Sequence, residues 1–249
     1  MIDYRVTGAV ARVMLSRPEK RNALDDAAIA GLLDSLGRAY NDAAVRVLLI
    51  TGAGQDFCSG MDIGMLEKTA NAGVMDLIAQ AENLAAVYRA MRRYPKPVVS
   101  AVRGRALGGG CGLALACDAV LAAESAQFGF PEVKIGFVPA IVMSLLRRSV
   151  GEKRAFDLLA SGEPVRAREA LDLGMITRVY ADSEFDAGVE AHVASLAEKS
   201  ASALALTKKL LYIIDGMGFD AAIDAGVQAN AIARMTEDAR RGFERFSKK

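Results

Sequence analysis

An α/β fold is what this sequence predicts, on three observations. Short apolar runs rich in β-branched residues alternate with longer stretches of helical periodicity. One apolar run, residues 97–102, leads into a turn with three consecutive glycines, Gly108-Gly109-Gly110, and then into an apolar helix-like run. From Pro139 onward the pattern turns almost wholly helical.

Taken in order, residues 4–6 and 10–15 read as paired strands around Thr7-Gly8. Asp25 or Asp26 is placed to cap a helix reaching about residue 42, with Ile29, Leu32, Leu33 and Leu36 as its apolar face. A strand is expected over 45–51, helical stretches over 63–93 and a strand over 97–102. The glycine turn and a helix ending near Cys117 follow, then a short strand at 119–122. Helices are expected at 141–150, 152–161 and 167–173, and again over 185–246, interrupted only by residues 176–180. The last of these helices need a surface to pack on.

Composition narrows the function classes. With 249 residues, 52% apolar, the chain can bury a large core. A formal charge of +1, spread without a long basic block, argues against nucleic acid as a partner. The apolar run 106–117 is too short to span a bilayer, and residues 1–20 carry charges throughout, with no signal-like apolar region. Three cysteines, Cys58, Cys111 and Cys117, form no C-x-x-C pair. That argues against disulfides and structural zinc, and for a reducing, cytoplasmic setting.

The glycine turn carries the chemistry. Without Cβ atoms the backbone can approach a ligand closely. At a helix start, unpaired N–H groups and the positive end of the helix dipole face that ligand. A phosphate, a developing oxyanion or close packing with no ligand would each suit such a turn. No Lys-Ser/Thr follows, so it is not a P-loop, and Gly104, Gly108 and Gly110 do not fit G-x-G-x-x-G.

Three further segments decide among these. They are Arg17-Pro18-Glu19-Lys20-Arg21-Asn22-Ala23-Leu24, Gln55-Asp56-Phe57-Cys58-Ser59-Gly60-Met61-Asp62-Ile63, and the run from Ala126 through Phe130-Pro131-Glu132-Val133 to Pro139. With the glycine turn, in this order and spacing, they make the whole chain resemble the crotonase family of enoyl-CoA hydratases and isomerases.

That resemblance implies a crotonase-like spiral of ββα units over residues 1–195 carrying the CoA and catalytic site. Residues 196–249 would then be a C-terminal helical region that covers the core and builds a homotrimer or a dimer of trimers. The implied substrate is an acyl-CoA thioester, with coenzyme A arriving as part of it and no permanently bound cofactor, metal, nucleic acid or membrane partner.

By the same resemblance, the backbone N–H groups of Ser59 and Gly109 would stabilise the thioester enolate in an oxyanion hole. Glu132, the one carboxylate in an apolar neighbourhood, would be the acid/base, since burial there raises its proton affinity. A solvated loop glutamate is the plain alternative. CoA and acyl contacts are expected from Lys20, Arg21, Ala23, Ser59, Gly60, Met61, Asp62, Ile63, Leu107, Gly108, Gly112, Pro131 and Pro139. Met65 and Leu66 are candidates for the acyl pocket, and Lys248 and Lys249 for a neighbouring subunit's CoA. His192, the sole histidine, lies far from every motif and reads as structural.

One departure stands out. Two-glutamate hydratases carry a second catalytic glutamate two residues past the third glycine, where this chain has Gly112. One carboxylate favours one-base isomerisation of a 3-enoyl to a 2-enoyl thioester. The segment Glu132 to Ala140 nonetheless resembles single-glutamate, methylglutaconyl-CoA hydratase-like members, in which one glutamate orients a water that supplies both H and OH. Asp62 and Glu67 are possible assistants. An enoyl-CoA hydratase is therefore the reading, with the isomerase as alternative and a catalytically silent CoA-binding or scaffolding protein as an alternative of another class.

Overall fold

Strands buried on both faces of a parallel sheet need apolar residues at nearly every position, and three runs of this chain provide them. The computed structural model describes residues 1–68 and 71–247, apart from the side chains of residues 68, 246 and 247. Strands β1 (Ile2–Thr7) and β2 (Val10–Leu15) pair antiparallel. Helix α1 (Asp26–Asn41) begins at Asp25, whose carboxylate accepts the Ala28 N–H at 2.8 Å. Ile29, Leu32 and Leu36 are buried on it as expected, but Leu33 is 36% exposed, because one step of 100° from Leu32 carries it to the helix flank.

Strand β3 (Val47–Gly52) joins β2 in parallel. Two helices, α2 (Ile63–Lys68) and α3 (Val74–Arg93), occupy the region expected to be helical over 63–93. Then come β4 (Val98–Val102), β5 (Arg105–Leu107), α4 (Gly109–Leu115), β6 (Ala119–Ala123) and β7 (Gln127–Gly129). After α5 (Ala140–Leu146) and α6 (Glu152–Ser161) the chain makes β8 (Val165–Arg166), α7 (Ala167–Asp172) and β9 (Arg178–Tyr180). The helices expected to reach Cys117 and Val150 stop earlier, at Leu115 and Leu146.

The large sheet has the order β1-β2-β3-β4-β6-β9, and a small one has the order β5-β7-β8. Between β4 and β7 the chain visits the large sheet, then the small one, passes through α4 and repeats, which is a ββα unit. On β3, Leu48 and Ile50 enter the main core while Val47 and Leu49 enter a second core on the other face. Helix α8 (Phe185–Ala197) closes that second face with Phe185, Val189 and Val193.

The chain ends in α9 (Ala201–Ile213), α10 (Phe219–Met235) and α11 (Glu237–Ser247). Lys208 on α9, only 8% exposed, pins that helix to the core. Its Nζ lies 2.7 Å from Asp118 Oδ2 and donates to the Met91 carbonyl at 2.8 Å. Tyr212 donates to the other Asp118 oxygen at 2.5 Å.

Candidate active site

Three loop segments meet at the end of β4. In the first, Arg21 and Asn22 both take the left-handed conformation, with φ 51° and 55°. Asn22 is buried and donates to the carbonyls of Ala53 and Asp56 at 2.8 and 2.7 Å. The Arg17 guanidinium reaches Asp25 at 2.6 Å and Asp62 at 2.9 Å, tying this loop to the second segment. The second segment joins the third through Asp56, which accepts from Arg105 at 2.8–3.0 Å, and through a bridge between Cys58 and Ala106.

A parallel bridge between Leu24 and Met61 sets the direction of the backbone groups. Leu24 N–H donates to the Gly60 carbonyl, and Asp62 N–H donates to the Leu24 carbonyl. Those two groups of the strand face Leu24, so the Met61 N–H between them faces the opposite way. Gly60, at φ 98°, brings this N–H beside the start of α4: a Cβ on Gly60 would stand 3.3 Å from Gly109 N, and one on Gly109 would stand 3.7 Å from Met61 N. Among the described residues, neither the Met61 nor the Gly109 N–H meets an acceptor.

This corrects the expectation for Ser59. Its N–H donates to the Arg21 carbonyl at 3.0 Å and is not available to a ligand. The left-handed turn at Arg21 and Asn22 brings that carbonyl within reach. The open N–H of the segment is two residues further on, at Met61.

Glu132 sits in a short 3-10 turn, Pro131–Ile135, opened by Pro131 and closed by Gly136 at φ 72°. Its carboxylate lies over Gly108, where a Cβ would stand 2.8 Å from Oε1. Its Oε2 is buried with no hydrogen-bond partner among the described residues. Burial in these surroundings raises its pKa above the ordinary carboxylate value.

A cavity of about 500 Å³ joins these groups. Met61, Gly109 and Glu132 line it, with Leu66, Leu77, Ala81, Leu84, Gln80 and the stretch from Ile135 to Val142. Among the described residues of that lining, Glu132 is the only ionisable group. A larger cavity of about 770 Å³, between α3, α5 and α9, touches none of the expected site residues. Among the described residues its lining includes no carboxylate.

Of the expected contacts, Met61, Gly109, Glu132 and Pro139 line this cavity, and Leu66 joins them. Gly60 and Leu107 pack beside the pair of open N–H groups, and Ala23, buried, supports the first loop from within. Lys20 and Arg21 are exposed on that loop, and Ile63 is 65% exposed at the start of α2. Asp62 is engaged by Arg17 and by the Gly64 N–H, which hold its pKa below the usual value, so it is not free to assist as an acid/base. Glu67 is exposed and, like Met65, does not line the cavity.

Gly112 is a second correction. It does not line the cavity and is buried against α3 and α5: a Cβ there would run into Val142 Cγ1 and stand 2.9 Å from the Tyr88 hydroxyl. His192 is half-buried on α8, away from the site, with its pKa lowered by burial and by Arg178. Lys248 and Lys249 lie outside the described residues.

Sequence reasoning did not single out Leu84 or Phe137, which line the cavity. Leu84 falls on the apolar face of a long helix and looks like any core residue there. Phe137 follows Glu132 closely enough to have been singled out.

Known proteins resemble this chain over nearly its whole length. The family model described as "Enoyl-CoA hydratase/isomerase" matches residues 5–249. A Thermus thermophilus protein provisionally named enoyl-CoA hydratase is 40% identical over 97% of this chain and 96% of its own. The 2,3-dehydroadipyl-CoA hydratase of Escherichia coli is 34% identical, covering 96% and 92%. The crystal structure of an enoyl-CoA hydratase from Mycobacterium smegmatis superposes with a TM-score of 0.94 at 30% identity, over 99% of this chain and 96% of that one. With the ββα turns, the C-terminal helices and a family match over nearly its whole length, the chain belongs to the enoyl-CoA hydratase/isomerase family.

Proposed function

We propose that this protein hydrates a 2-enoyl-CoA thioester in the 500 Å³ cavity, with Glu132 as its acid/base and the N–H groups of Met61 and Gly109 as its oxyanion hole. The observation that carries this is the meeting, in one largely apolar cavity, of a carboxylate whose Oε2 is buried without a partner and two N–H groups without an acceptor, among the described residues. Water attacks C3 of the enoyl group while the thioester oxygen takes up negative charge. Two fixed donors stabilise that oxygen, and removing one such donor typically costs about 2.7–4 kcal/mol. The Glu132 carboxylate takes the proton lost by the water and returns it to C2, so that H and OH are added in balance. The helix dipole of α4 is too short-ranged to replace Gly109's hydrogen bond but acts in the same direction.

A second reading rests on the lack of another carboxylate in the lining. Glu132 alone would take the C2 proton of a 3-enoyl thioester and deliver it to C4, giving the 2-enoyl isomer. Relatives named hydratases favour hydration. Loss of crotonyl-CoA absorbance with and without protein tests hydration, and the same assay from a 3-enoyl-CoA tests isomerisation. Activity on neither would leave only a CoA-binding or scaffolding role.

In this reading CoA comes and goes with the substrate, and no resident cofactor is needed. Lys20 and Arg21, exposed on the first loop, would meet its phosphates. No described helix is long and apolar enough to cross a membrane. Three buried free cysteines suit a reducing, cytoplasmic setting. Exposed apolar residues along α10, among them Phe219, Ile223 and Val227, support assembly as a trimer or a dimer of trimers.

A further inference from the structure

The turn that supplies one oxyanion donor has no side chains of its own. Backbone bonds hold Gly108, whose N–H donates to the Gly129 carbonyl and whose carbonyl accepts from the Gly112 N–H, and Gly109 opens α4 with no side chain to fix it. Among the described residues one side chain hydrogen-bonds to it: the Tyr88 hydroxyl, on α3, donates to the Gly109 carbonyl at 2.6 Å. Tyr88 is 3% exposed and does not line the acyl cavity. It reaches Gly109 from behind, across the face of α4 that Gly112 leaves bare.

Gly112 and Tyr88 therefore go together. Any side chain at position 112 would compete for the space of the phenol, 2.9 Å from where its Cβ would start. Where two-glutamate relatives project a carboxylate from this helix position, this chain has a phenol arriving from α3.

We infer that Tyr88 is a positioning residue of the oxyanion hole, holding the Gly109 carbonyl so that the Gly109 N–H stays aimed at the thioester oxygen. This rests on the reading of Met61 and Gly109 as oxyanion donors. A donor aimed in advance needs no reorganisation as charge develops, which is where such a group gains its effect. The phenol stays protonated throughout, since burial pushes its pKa well above the ordinary tyrosine value. It is thus a fixed donor and takes no part in proton transfer.

Tyr88→Phe keeps the ring and removes only the hydroxyl. Tyr94→Phe is the matched control: Tyr94 is equally buried, and its hydroxyl donates to the Leu36 carbonyl at 2.9 Å, away from the site. The readout is the absorbance of bound 4-dimethylaminocinnamoyl-CoA, which shifts to the red as its carbonyl is polarised, measured with kcat and KM on crotonyl-CoA.

Tyr88→Phe is expected to reduce the red shift and to lower kcat about tenfold, the equivalent of about 1.4 kcal/mol, with KM changed far less. Tyr94→Phe is expected to lower thermal stability as much or more and to leave the red shift as in the parent. A Tyr88→Phe protein with the parent's red shift and kcat overturns the inference while leaving the proposed function intact. Equal losses of red shift in both variants also overturn it, because the effect would then be general loosening. A parent that neither shifts the probe nor turns over crotonyl-CoA removes the proposed function, and this inference with it.

Discussion

Glu132 lies on Gly108: its Oε1 occupies the space 2.8 Å from where a Gly108 Cβ would stand, and Gly108 itself takes φ 50°. Glu132 and the glycine turn are thus one packed unit. The bare backbone of the turn admits the carboxylate to the cavity, and the apolar wall around it raises its proton affinity.

If Met61 and Gly109 form the hole, ligands with negative charge on the thioester oxygen should gain most. An enolised 3-oxoacyl-CoA is expected to bind more tightly than free CoA in calorimetry, because only it presents that charge. In amide NMR, the Met61 and Gly109 signals should move on binding, while Ser59, already bonded to Arg21, moves least. Equal affinities, or a Ser59 signal that moves more than Met61, would return the donor to Ser59 or abolish the hole.

A raised Glu132 pKa also has a consequence for stability. The folded chain holds this proton at a pH where the unfolded chain, near 4.5, has released it. Stability therefore falls as pH rises through the window between the two values and stays lower above it. Gln carries no charge, so Glu132→Gln is expected to match the parent below the window and to melt higher at neutral pH. Thermal unfolding at both pH values checks this, and a variant that melts lower than the parent at neutral pH contradicts the unpaired, buried carboxylate.

Gly112→Glu would restore the second carboxylate in sequence but not in space. Val142 and the Tyr88 hydroxyl stand where the new side chain would begin. The variant is expected to lose about 1–3 kcal/mol to overpacking and to gain no hydration relative to isomerisation. Denaturant unfolding and the product ratio from a 3-enoyl-CoA check it. A stable variant with a raised share of 3-hydroxyacyl product would show that position 112 faces the acyl group after all.

Much of this was legible in the chain. The central strands β3, β4 and β6 are each announced by an apolar run, because a sheet covered on both faces has no polar alternation. Glu132 and Gly109 were singled out through the family resemblance carried by the glycine triplet and the Phe130-Pro131-Glu132 segment, and both line the cavity. The small sheet was not, since β5, β7 and β8 have only two or three residues each and too little periodicity to read. Ser59 was taken for Met61 because a donor's direction depends on which side of the Leu24 bridge it falls, and neighbouring residues in a loop do not reveal that. Gly112 misled for a related reason. Its neighbour across space, Tyr88, comes from a helix whose packing angle no local pattern encodes.

The account stands or falls on one comparison: the initial rate of crotonyl-CoA hydration by the parent and by Glu132→Gln, at equal concentration and with CoA binding measured alongside. The parent is expected to consume the conjugated thioester. The variant is expected to bind CoA as the parent does and to run at least about a hundredfold slower, the lower end of what a positioned acid/base contributes. A variant within a few-fold of an active parent would contradict the assignment of Glu132, and a parent with no activity would contradict the proposed reaction.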